Sequence, residues 1–450
     1  MIPTYDIKKF LALARVLSGK ISTGLKVRII GPNCFKKVER MIILMGKNKK
    51  HTFDEVTSGN IVAMVGLDDV ISKSATLIDA KNENYHVIKD MRLPVPPLLP
   101  INIKAQEEIA MKLLEGLTLL SKLDPMIVCN VDEKATSSIS GVTEPHLDRC
   151  KNYLQDDLLG GAKITSTSPI VTFCESVLDR SDCTVMKMSR NKSICLYMVA
   201  RPLDKFLAKA IDDGRIGPHV DPEFCSNILN NEFGWDRELA NKIWCFGPNS
   251  TGPNILVNMC NGVVKHLDDI KGLVIEGFQK ATLAGPLAGE NMRNIRFELR
   301  DAKIAKDFLS RGPKQIIDAA QHVVYAAYLS AHPCLMEPIY LVEIKAIERD
   351  LCLIYQTVYN KRGHVFKEEK MSDSPFYNLQ AYLPVMESLG FFTDFQARNS
   401  DIIFPLVVFD HWDIRNLDPQ KSDNEVGSLV LQTRIRKKLG DMKKLSYYEN

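Results

Sequence analysis

The sequence predicts an α+β fold of several domains: a partial β-barrel followed by two ferredoxin-like domains that flank a mixed α/β domain. Two observations carry this prediction. Short β-rich stretches separated by turn residues fill positions 1–88, and the order strand, helix, strand, strand, helix, strand occurs twice further along the chain. A chain of 450 residues, 45% of them hydrophobic, is long enough for several compact units.

Residues 1–88 are expected to form the partial barrel. The β-prone segments Leu25–Ile30, Met41–Met45 and Asn60–Val65 alternate with Gly, Asn and Asp turn signals, a spacing typical of small barrels. Residues 89–100 then form a linker. Its part Leu93–Pro100 holds four prolines in eight residues, which keep the chain extended and exclude a helix.

Residues 101–166 form the first predicted ferredoxin-like domain. We expect Thr143 to be an N-cap and Pro145 to be tolerated because it falls in the first turn of the second helix. The predicted elements are a strand at 101–105, a helix at 107–120, strands at 126–131 and 136–141, a helix at 143–158 and a strand at 162–165.

Residues 333–409 repeat this order. The predicted elements are a strand at 339–345, a helix at 348–359, strands at 363–367 and 379–385, a helix at 386–395 and a strand at 404–409. The mixed α/β region 167–332 lies between the two ferredoxin-like domains. It ends in a predicted amphipathic helix, residues 315–330, whose apolar positions are Ile316, Ile317, Ala320, Val324, Ala327 and Tyr328. Trp244, Phe246 and Trp412 are expected to be core aromatics.

Composition excludes several classes of protein. The eleven cysteines contain no CxxC pair and are expected to be reduced thiols, and no apolar run approaches the roughly 20 residues of a membrane span. We therefore expect a cytoplasmic protein that does not cross a membrane. The net charge of +3 does not indicate nucleic-acid binding by the molecule as a whole, so any such binding must come from local patches.

The sequence contains no phosphate loop of the form GxxxxGK[ST]. The glycine-containing stretches 247–253 and 281–290 carry Pro where a phosphate site needs free amides, so neither is expected to bind a nucleotide. The nine histidines form no HExxH or zinc-ligand spacing, and His322 is expected to be a packed or surface residue. No metal ligand and no catalytic residue is assigned.

Several stretches together resemble elongation factor 2 of eukaryotes and archaea, in the elongation factor G and elongation factor 2 family. Single tetrapeptides of this kind are weak, but their order and intervals along nearly the whole chain are specific. They are Met1–Thr4, Lys26–Asn33, Gly116–Pro125, Leu196–Pro202, Ile243–Pro248, Thr251–Leu256, Leu335–Ile344, Lys361–Phe366, Ala381–Val385 and Val408–Trp412.

This resemblance implies a layout. Residues 1–88 correspond to part of the family's second domain, 101–166 to the third, 167–332 with 410–450 to the fourth, and 333–409 to the fifth. The family's GTPase domain is expected to be absent from this chain and encoded upstream or on a separate chain. GTP and Mg²⁺ are expected only with that domain, so no cofactor is assigned here.

The resemblance also implies a function: promoting translocation of tRNA and mRNA on the ribosome, with ribosomal RNA and the decoding centre as partners. The family's fourth domain carries at its tip a His that is modified to diphthamide. In the matching stretch, Asp301–Gln315, Ser310 stands at that position, and Pro313 and Lys314 replace two glycines. Two alternatives stay open: a non-translocating relative of the spliceosomal or ribosome-maturation GTPase type, and an inactive diverged copy.

Two basic segments are the candidate RNA-binding and ribosome-binding sites, because cations on a protruding loop or tail neutralise RNA phosphates. A solvated surface is the alternative for both segments. The tip-loop candidates are Lys303, Lys306, Ser310, Arg311 and Lys314, and the candidates in the basic tail are Arg434, Arg436, Lys437 and Lys438.

Overall fold

The structure, a computed structural model, describes most of the chain. The described residues are 1–4, 9–45, 49–81, 87–88, 98–104, 109–131, 137–190, 192–260, 262, 264–305, 313–371, 374–398 and 405–449.

The strands are short in the first 80 residues and longer towards the C-terminus. They are β1 Ile2–Pro3, β2 Phe10–Arg15, β3 Lys20–Ser22, β4 Lys26–Ile30, β5 Cys34–Lys37, β6 Arg40–Met45, β7 Lys49–Phe53, β8 Glu55–Thr57, β9 Ile61–Val65, β10 Thr76–Asp79, β11 Leu99–Lys104, β12 Val128–Val131, β13 Ser137–Gly141, β14 Thr165–Ser166, β15 Cys174–Val177, β16 Val185–Met188, β17 Ile194–Pro202, β18 Ile243–Gly247, β19 Asn254–Asn258, β20 Asn291–Met292, β21 Ile295–Ile304, β22 Pro333–Ile347, β23 His364–Lys370, β24 Phe376–Pro384 and β25 Leu406–Arg415.

The helices are α1 Ala110–Leu123, α2 Glu144–Tyr153, α3 Lys205–Asp212, α4 Pro222–Phe233, α5 Arg237–Asn241, α6 Leu267–Leu283, α7 Pro313–Leu329, α8 Leu351–Asn360, α9 Phe391–Arg398, α10 Glu425–Arg436 and α11 Leu445–Glu449. A π-helical turn, Leu154–Leu158, continues α2, and 3₁₀ turns lie at Glu348–Asp350 and Val385–Ser388. Among the described helices, none is both long and apolar enough to cross a bilayer.

The chain divides into two compact units. The first unit is Met1–Val171 with Ile339–His411, and the second unit is Thr172–Pro338 with Trp412–Asn450. The chain passes between them within the strands β22 and β25, so each of these strands contributes residues to both units.

The first unit begins with a β structure that surrounds its own core. A sheet with strand order β1-β2-β9-β6-β7 and another with order β10-β4-β5 enclose the core. Val27, Ile29, Met41 and Met64 are among its buried residues. Alternating burial along β4 places Val27 and Ile29 in this core, as the period of a half-buried strand requires.

The first ferredoxin-like fold is confirmed in this unit. Its sheet has the order β12-β13-β11-β14, with α1 and α2 following β11 and β13 along the chain. Thr143 occupies the N-cap position of α2 with an extended backbone, but its side chain makes no capping hydrogen bond. Pro145 lies in the first turn, as predicted.

The second ferredoxin-like sheet is also present. Strand β24 lies between β22 and β23, and β25 pairs with β22. The prediction of one helix over 386–395 was wrong, because the segment is divided into a 3₁₀ turn, Val385–Ser388, and helix α9. Gly390 separates the two with a left-handed backbone, φ 72°, which interrupts regular helical hydrogen bonding.

The second unit is built on a five-stranded sheet with the order β16-β17-β21-β19-β18. Helices α6 and α7 contribute to the core on one face of the sheet, together with Leu196, Met198 and Phe297. The predicted amphipathic helix at 315–330 is confirmed as α7, and all six of its predicted apolar positions are buried.

Helices α6 and α7 approach closely at Gly277. A Cβ at this position would lie 2.6 Å from the Cβ of Ala320 and 2.7 Å from the carbonyl oxygen of Ile317. The absence of a side chain therefore sets the distance between the two helices.

Helices α3, α4 and α5 form a separate small core that the sequence prediction described only as part of a mixed region. Leu207, Ile211, Leu229 and Ala240 pack there against Ile255 on the opposite face of the sheet from α6. Each of the three helices begins at an Asp whose carboxylate accepts hydrogen bonds from the first-turn amides; these are Asp204, Asp221 and Asp236.

Candidate nucleic-acid interface

The basic segment predicted as a tip loop begins at one end of the five-stranded sheet. Ile304, the last residue of β21, pairs with Ile194, the first residue of β17. The amide of Ala305 then donates to the carbonyl oxygen of Ser193 over 2.8 Å. Ala305 therefore lies beside Ser193, which comes just before β17, and we call this end of the sheet the tip end.

Two of the five predicted tip-loop residues lie within the described structure. Lys303 is exposed near the end of β21, and its Nζ lies 5.4 Å from the centre of the Tyr197 ring. A hydrogen bond to Tyr197 raises the pKa of Lys303. Lys314 is exposed in the first turn of α7. Lys306, Ser310 and Arg311 lie outside the described residues.

The turn between β16 and β17 adds cations that the sequence prediction missed. Arg190 and Lys192 are both exposed, and Lys192 has a left-handed backbone, φ 56°. Ser189 closes the turn, because its hydroxyl accepts from the amide of Ile194 over 3.0 Å. The signal that could have identified this turn is the polar run Ser189–Ser193 between two β-prone stretches.

More positive charge lies beside α7 in the second unit. His322 is partly buried, and burial lowers its pKa, with Lys187, Lys443 and Arg190 acting in the same direction and Asp318 opposing them. Its ring lies edge-on to Tyr448, with centres 5.6 Å apart. His322 is thus a packed residue, as the sequence predicted.

Much of the predicted basic tail is used inside the second unit. Arg434 is 9% exposed. Its Nη1 donates to the carbonyl oxygens of Pro286 and Leu287, and its Nε and Nη2 donate to those of Gly440 and Asp441. Such bonds satisfy a buried guanidinium without any carboxylate partner.

The other tail cations differ in their surroundings. Lys437 donates to the carbonyl oxygen of Gly289 over 2.5 Å and lies 2.9 Å from a carboxylate oxygen of Glu290. Arg436 lies 3.9 Å from the same carboxylate oxygen, and Lys438 is exposed. Within the tail, Lys438 and Arg436 are therefore available to contact RNA, whereas Arg434 stabilises the fold of the second unit.

The glycine-containing segment Gly285–Glu290 binds a carboxylate of the chain itself. The amides of Leu287, Ala288 and Glu290 donate to Glu175 over 3.1, 2.8 and 3.2 Å. Burial raises the pKa of Glu175 to about 7, and these three hydrogen bonds oppose the shift. The amides that could cradle a phosphate are thus directed at the carboxyl group of Glu175.

One group in the first unit has the residue types of a metal site. Single ligand atoms of Asp124, His146 and Cys150 all lie within 4.8 Å of one another. However, the amide of Val142 faces Nδ1 of His146 at 3.4 Å, and Nε2 lies 2.7 Å from Asp124. Because Nδ1 accepts from Val142, Nε2 carries the hydrogen and donates a hydrogen bond to Asp124, so it has no lone pair for a metal.

The thiol of Cys150 also does not resemble a metal ligand. Burial, followed by the charge of Asp124, raises its pKa to about 12, which keeps the sulfur protonated near neutral pH. Asp124 and His146 are best described as a partly buried hydrogen-bonded pair beside the buried Cys150.

Comparison with protein-family models gives two matches. Residues 6–80, which include most of the barrel, match the model described as elongation factor G domain 2. Residues 220–332, which include β18 to β21, α6, α7 and the segment after Ala305, match elongation factor G, domain IV. These two stretches of the chain are therefore similar to two domains of elongation factor G.

Proposed function

We propose that this chain, with its domains of the elongation factor G type, binds the ribosome and promotes translocation of tRNA and mRNA in the manner of elongation factor 2. The domain IV match ends just after α7, so it contains the whole segment between β21 and α7. The proposal places this segment and the β16–β17 turn against RNA at the decoding centre.

The observation that carries the proposal is the joining of two basic segments at the tip end. The hydrogen bond from Ala305 to Ser193 brings the exposed Arg190 and Lys192 beside the start of the predicted tip loop, and Lys303 lies two residues before Ala305. Cations that meet at one end of a domain can contact neighbouring phosphates of a folded RNA.

The proposal concerns RNA binding and positioning, not GTP hydrolysis. The 450 residues contain no phosphate-loop pattern, and the segment Gly285–Glu290 binds Glu175 instead of a phosphate. In the family, GTP and Mg²⁺ belong to another domain.

A second candidate function is supported by one residue. Ser310 stands where the resemblance places the modified His, so diphthamide cannot form at this position. A non-translocating relative, of the spliceosomal or ribosome-maturation GTPase type, would bind RNA through the same surface without driving translocation.

Co-sedimentation with purified ribosomes tests the proposal. We expect the unaltered chain to pellet with ribosomes at low salt, and we expect the triple variant Lys306→Ala, Arg311→Ala and Lys314→Ala to pellet less. The logarithmic salt dependence of binding should become shallower by about 2, because three phosphate contacts are lost.

The matched control removes three exposed lysines of the second unit away from the tip end: Lys205→Ala, Lys209→Ala and Lys280→Ala. If both triple variants lose ribosome binding equally, the loss reflects the number of positive charges and not their position. That result would overturn the assignment of the tip end as the RNA-binding site. Failure of the unaltered chain to pellet, combined with retention on spliceosomal RNA, would favour the second candidate function.

A further inference from the structure

Three guanidinium groups surround one buried carboxylate in the second unit. Glu298 on β21 is fully buried, with Nη2 of Arg296 2.5 Å from one carboxylate oxygen and Nη2 of Arg300 bonded to the other. Nε of Arg201 lies 3.4 Å from the first oxygen. Because residues two apart on a strand share a face, and because Arg201 is the register partner of Arg296, all four side chains lie on one face of the sheet.

This group carries an excess of positive charge. One carboxylate balances one cation, so two of the three guanidinium charges have no compensation within the cluster. Burial lowers the pKa of Arg296, and the charges of Arg201 and Arg300 add to this effect while Glu298 opposes it. An anion from outside the cluster would relieve this repulsion.

Two of the three arginines are accessible. The side chains of Arg201 and Arg300 are 32% and 31% exposed, whereas that of Arg296 is 11% exposed. Arg296 lies over the ring of Trp235, with the guanidinium carbon 4.7 Å from the ring centre. Arg296 is therefore fixed behind the two outer arginines.

The two outer arginines, Arg201 and Arg300, have N–H donors without an acceptor among the described residues. Among the described residues, neither the Nη atoms of Arg201 nor the Nη1 of Arg300 have an acceptor. Guanidinium groups of this kind bind phosphates through paired N–H donors.

A further cation, Lys303, lies along the same strand towards the tip end, beyond the exposed carboxylate of Asp301. Lys303 lies seven positions beyond Arg296, a distance of about 23 Å at the rise of a β-strand. Beside it lie the ring of Tyr197 and, on β16, the exposed side chains of Met186 and Met188. A row of cations with an aromatic ring and apolar groups alongside fits a linear polyanion that also carries bases, which describes RNA better than it describes an acidic peptide.

We propose that the sheet face formed by Arg201, Arg300 and Lys303, with Arg296 behind them, binds the phosphodiester backbone of RNA. On the ribosome this RNA would be ribosomal, and in that respect the inference rests on the proposed function. The face lies along β17 and β21, and it is distinct from the loop after Ala305.

Fluorescence anisotropy with a fluorescein-labelled oligouridylate of about 12 nucleotides tests the face directly. The double variant Arg201→Gln and Arg300→Gln should bind at least about tenfold more weakly at low salt, and its salt slope should fall by about 1.4 because two single-strand phosphate contacts are lost. The charge-conserving control, Arg201→Lys with Arg300→Lys, should keep most of the affinity because both positive charges remain.

A variant at the buried carboxylate should change the affinity for RNA in the opposite direction. Glu298→Gln removes the internal anion, so RNA should bind several-fold more tightly if the face is an RNA site. If the arginines served only to neutralise Glu298, this variant would lower the melting temperature without tightening RNA binding, and that result would overturn the proposal.

The matched control for charge is Lys265→Gln with Lys280→Gln, two lysines before and within α6, which packs against the other face of the sheet. Equal weakening by this control would contradict a specific face. Competition by polyglutamate as effective as competition by unlabelled oligouridylate would contradict the assignment to RNA.

The two proposals can fail separately. Loss of oligouridylate binding in Arg201→Gln with Arg300→Gln, in a chain that never pellets with ribosomes, would support this face and remove the proposed function. If the chain pellets with ribosomes but that double variant binds oligouridylate unchanged, the proposed function is supported and this face is not an RNA site.

Discussion

Glu175 and Arg434 bind opposite polar groups of the same short segment, Gly285–Glu290. Glu175 accepts hydrogen bonds from the amides of Leu287, Ala288 and Glu290, while Arg434 donates to the carbonyl oxygens of Pro286 and Leu287. A Cβ at Gly285 would overlap a carboxylate oxygen of Glu175, so only glycine fits there. The segment thereby connects β15 at the start of the second unit to α10 in the C-terminal tail.

Stability should depend on the protonation of Glu175. Its pKa in the folded chain is raised by burial from 4.5 to about 7. The protonated form is therefore favoured by folding, and its contribution is complete below about pH 4.5 and is lost as the pH rises through about 7. Between pH 5 and pH 8 we expect a loss of about 3 kcal/mol, or about 6 to 10 °C in the melting temperature of the second unit.

Thermal melting of Glu175→Gln checks this pH dependence, because the amide does not titrate. The variant should lose less melting temperature than the unaltered chain between pH 5 and pH 8, and Glu232→Gln on the exposed face of α4 is the control. Equal pH dependence in all three proteins would show that Glu175 is not the titrating group.

Arg434→Met should loosen the C-terminal tail. The change leaves the carbonyl oxygens of Pro286, Leu287, Gly440 and Asp441 without this donor, which should destabilise the second unit by about 3 kcal/mol. Hydrogen exchange measured by mass spectrometry should become faster over residues 425–449. Lys438→Met, at an exposed position in the same tail, should leave exchange unchanged; a similar effect of both variants would contradict the role given to Arg434.

Two glycines of helix α6 should respond to alanine in opposite directions. Gly277→Ala places a methyl group 2.6 Å from Ala320 and should cost about 2 kcal/mol of stability. Gly272→Ala meets nothing within 4 Å and should stabilise by up to about 1 kcal/mol through helix propensity. Urea denaturation distinguishes the two, and stabilisation by Gly277→Ala would be inconsistent with the close crossing of α6 and α7.

Zinc should have no effect on the Asp124, His146 and Cys150 cluster. The Val142 amide at Nδ1 of His146 and the protonated thiol of Cys150 both oppose coordination. Adding zinc chloride at micromolar concentration, or removing metals with a chelator, should leave the melting temperature within about 1 °C of its starting value. A zinc-dependent increase that disappears in His146→Asn would reveal a metal site.

Local patterns in the sequence predicted the repeating elements well. The helix at 315–330 was found as α7 because its apolar residues recur at helical spacing and prolines lie ahead of it and behind it. The two split strand-helix-strand units were found for the same reason. The single helix predicted over 386–395 was wrong because Gly390 adopts a left-handed backbone.

Contacts between distant residues could not be predicted. Glu175 and Leu287 are 112 positions apart, and Arg434 and Pro286 are 148 positions apart, so no local pattern links them. Arg434 was therefore grouped with its exposed neighbour Lys438, although one is buried and the other is not. Similarly, Phe246 is buried as expected, whereas Trp412 is only partly buried and lies 5.7 Å from the guanidinium of Arg293.

Photo-crosslinking from the tip end to ribosomal RNA tests the central claim most directly. Benzoylphenylalanine would replace Lys192 or Lys303 at the tip end, or Lys280 on α6 as the control, in the full chain bound to ribosomes. The proposed function predicts cross-links from positions 192 and 303 to RNA of the decoding centre, and none from position 280. Cross-links of equal strength from all three positions, or cross-links only to RNA far from the decoding centre, would contradict it.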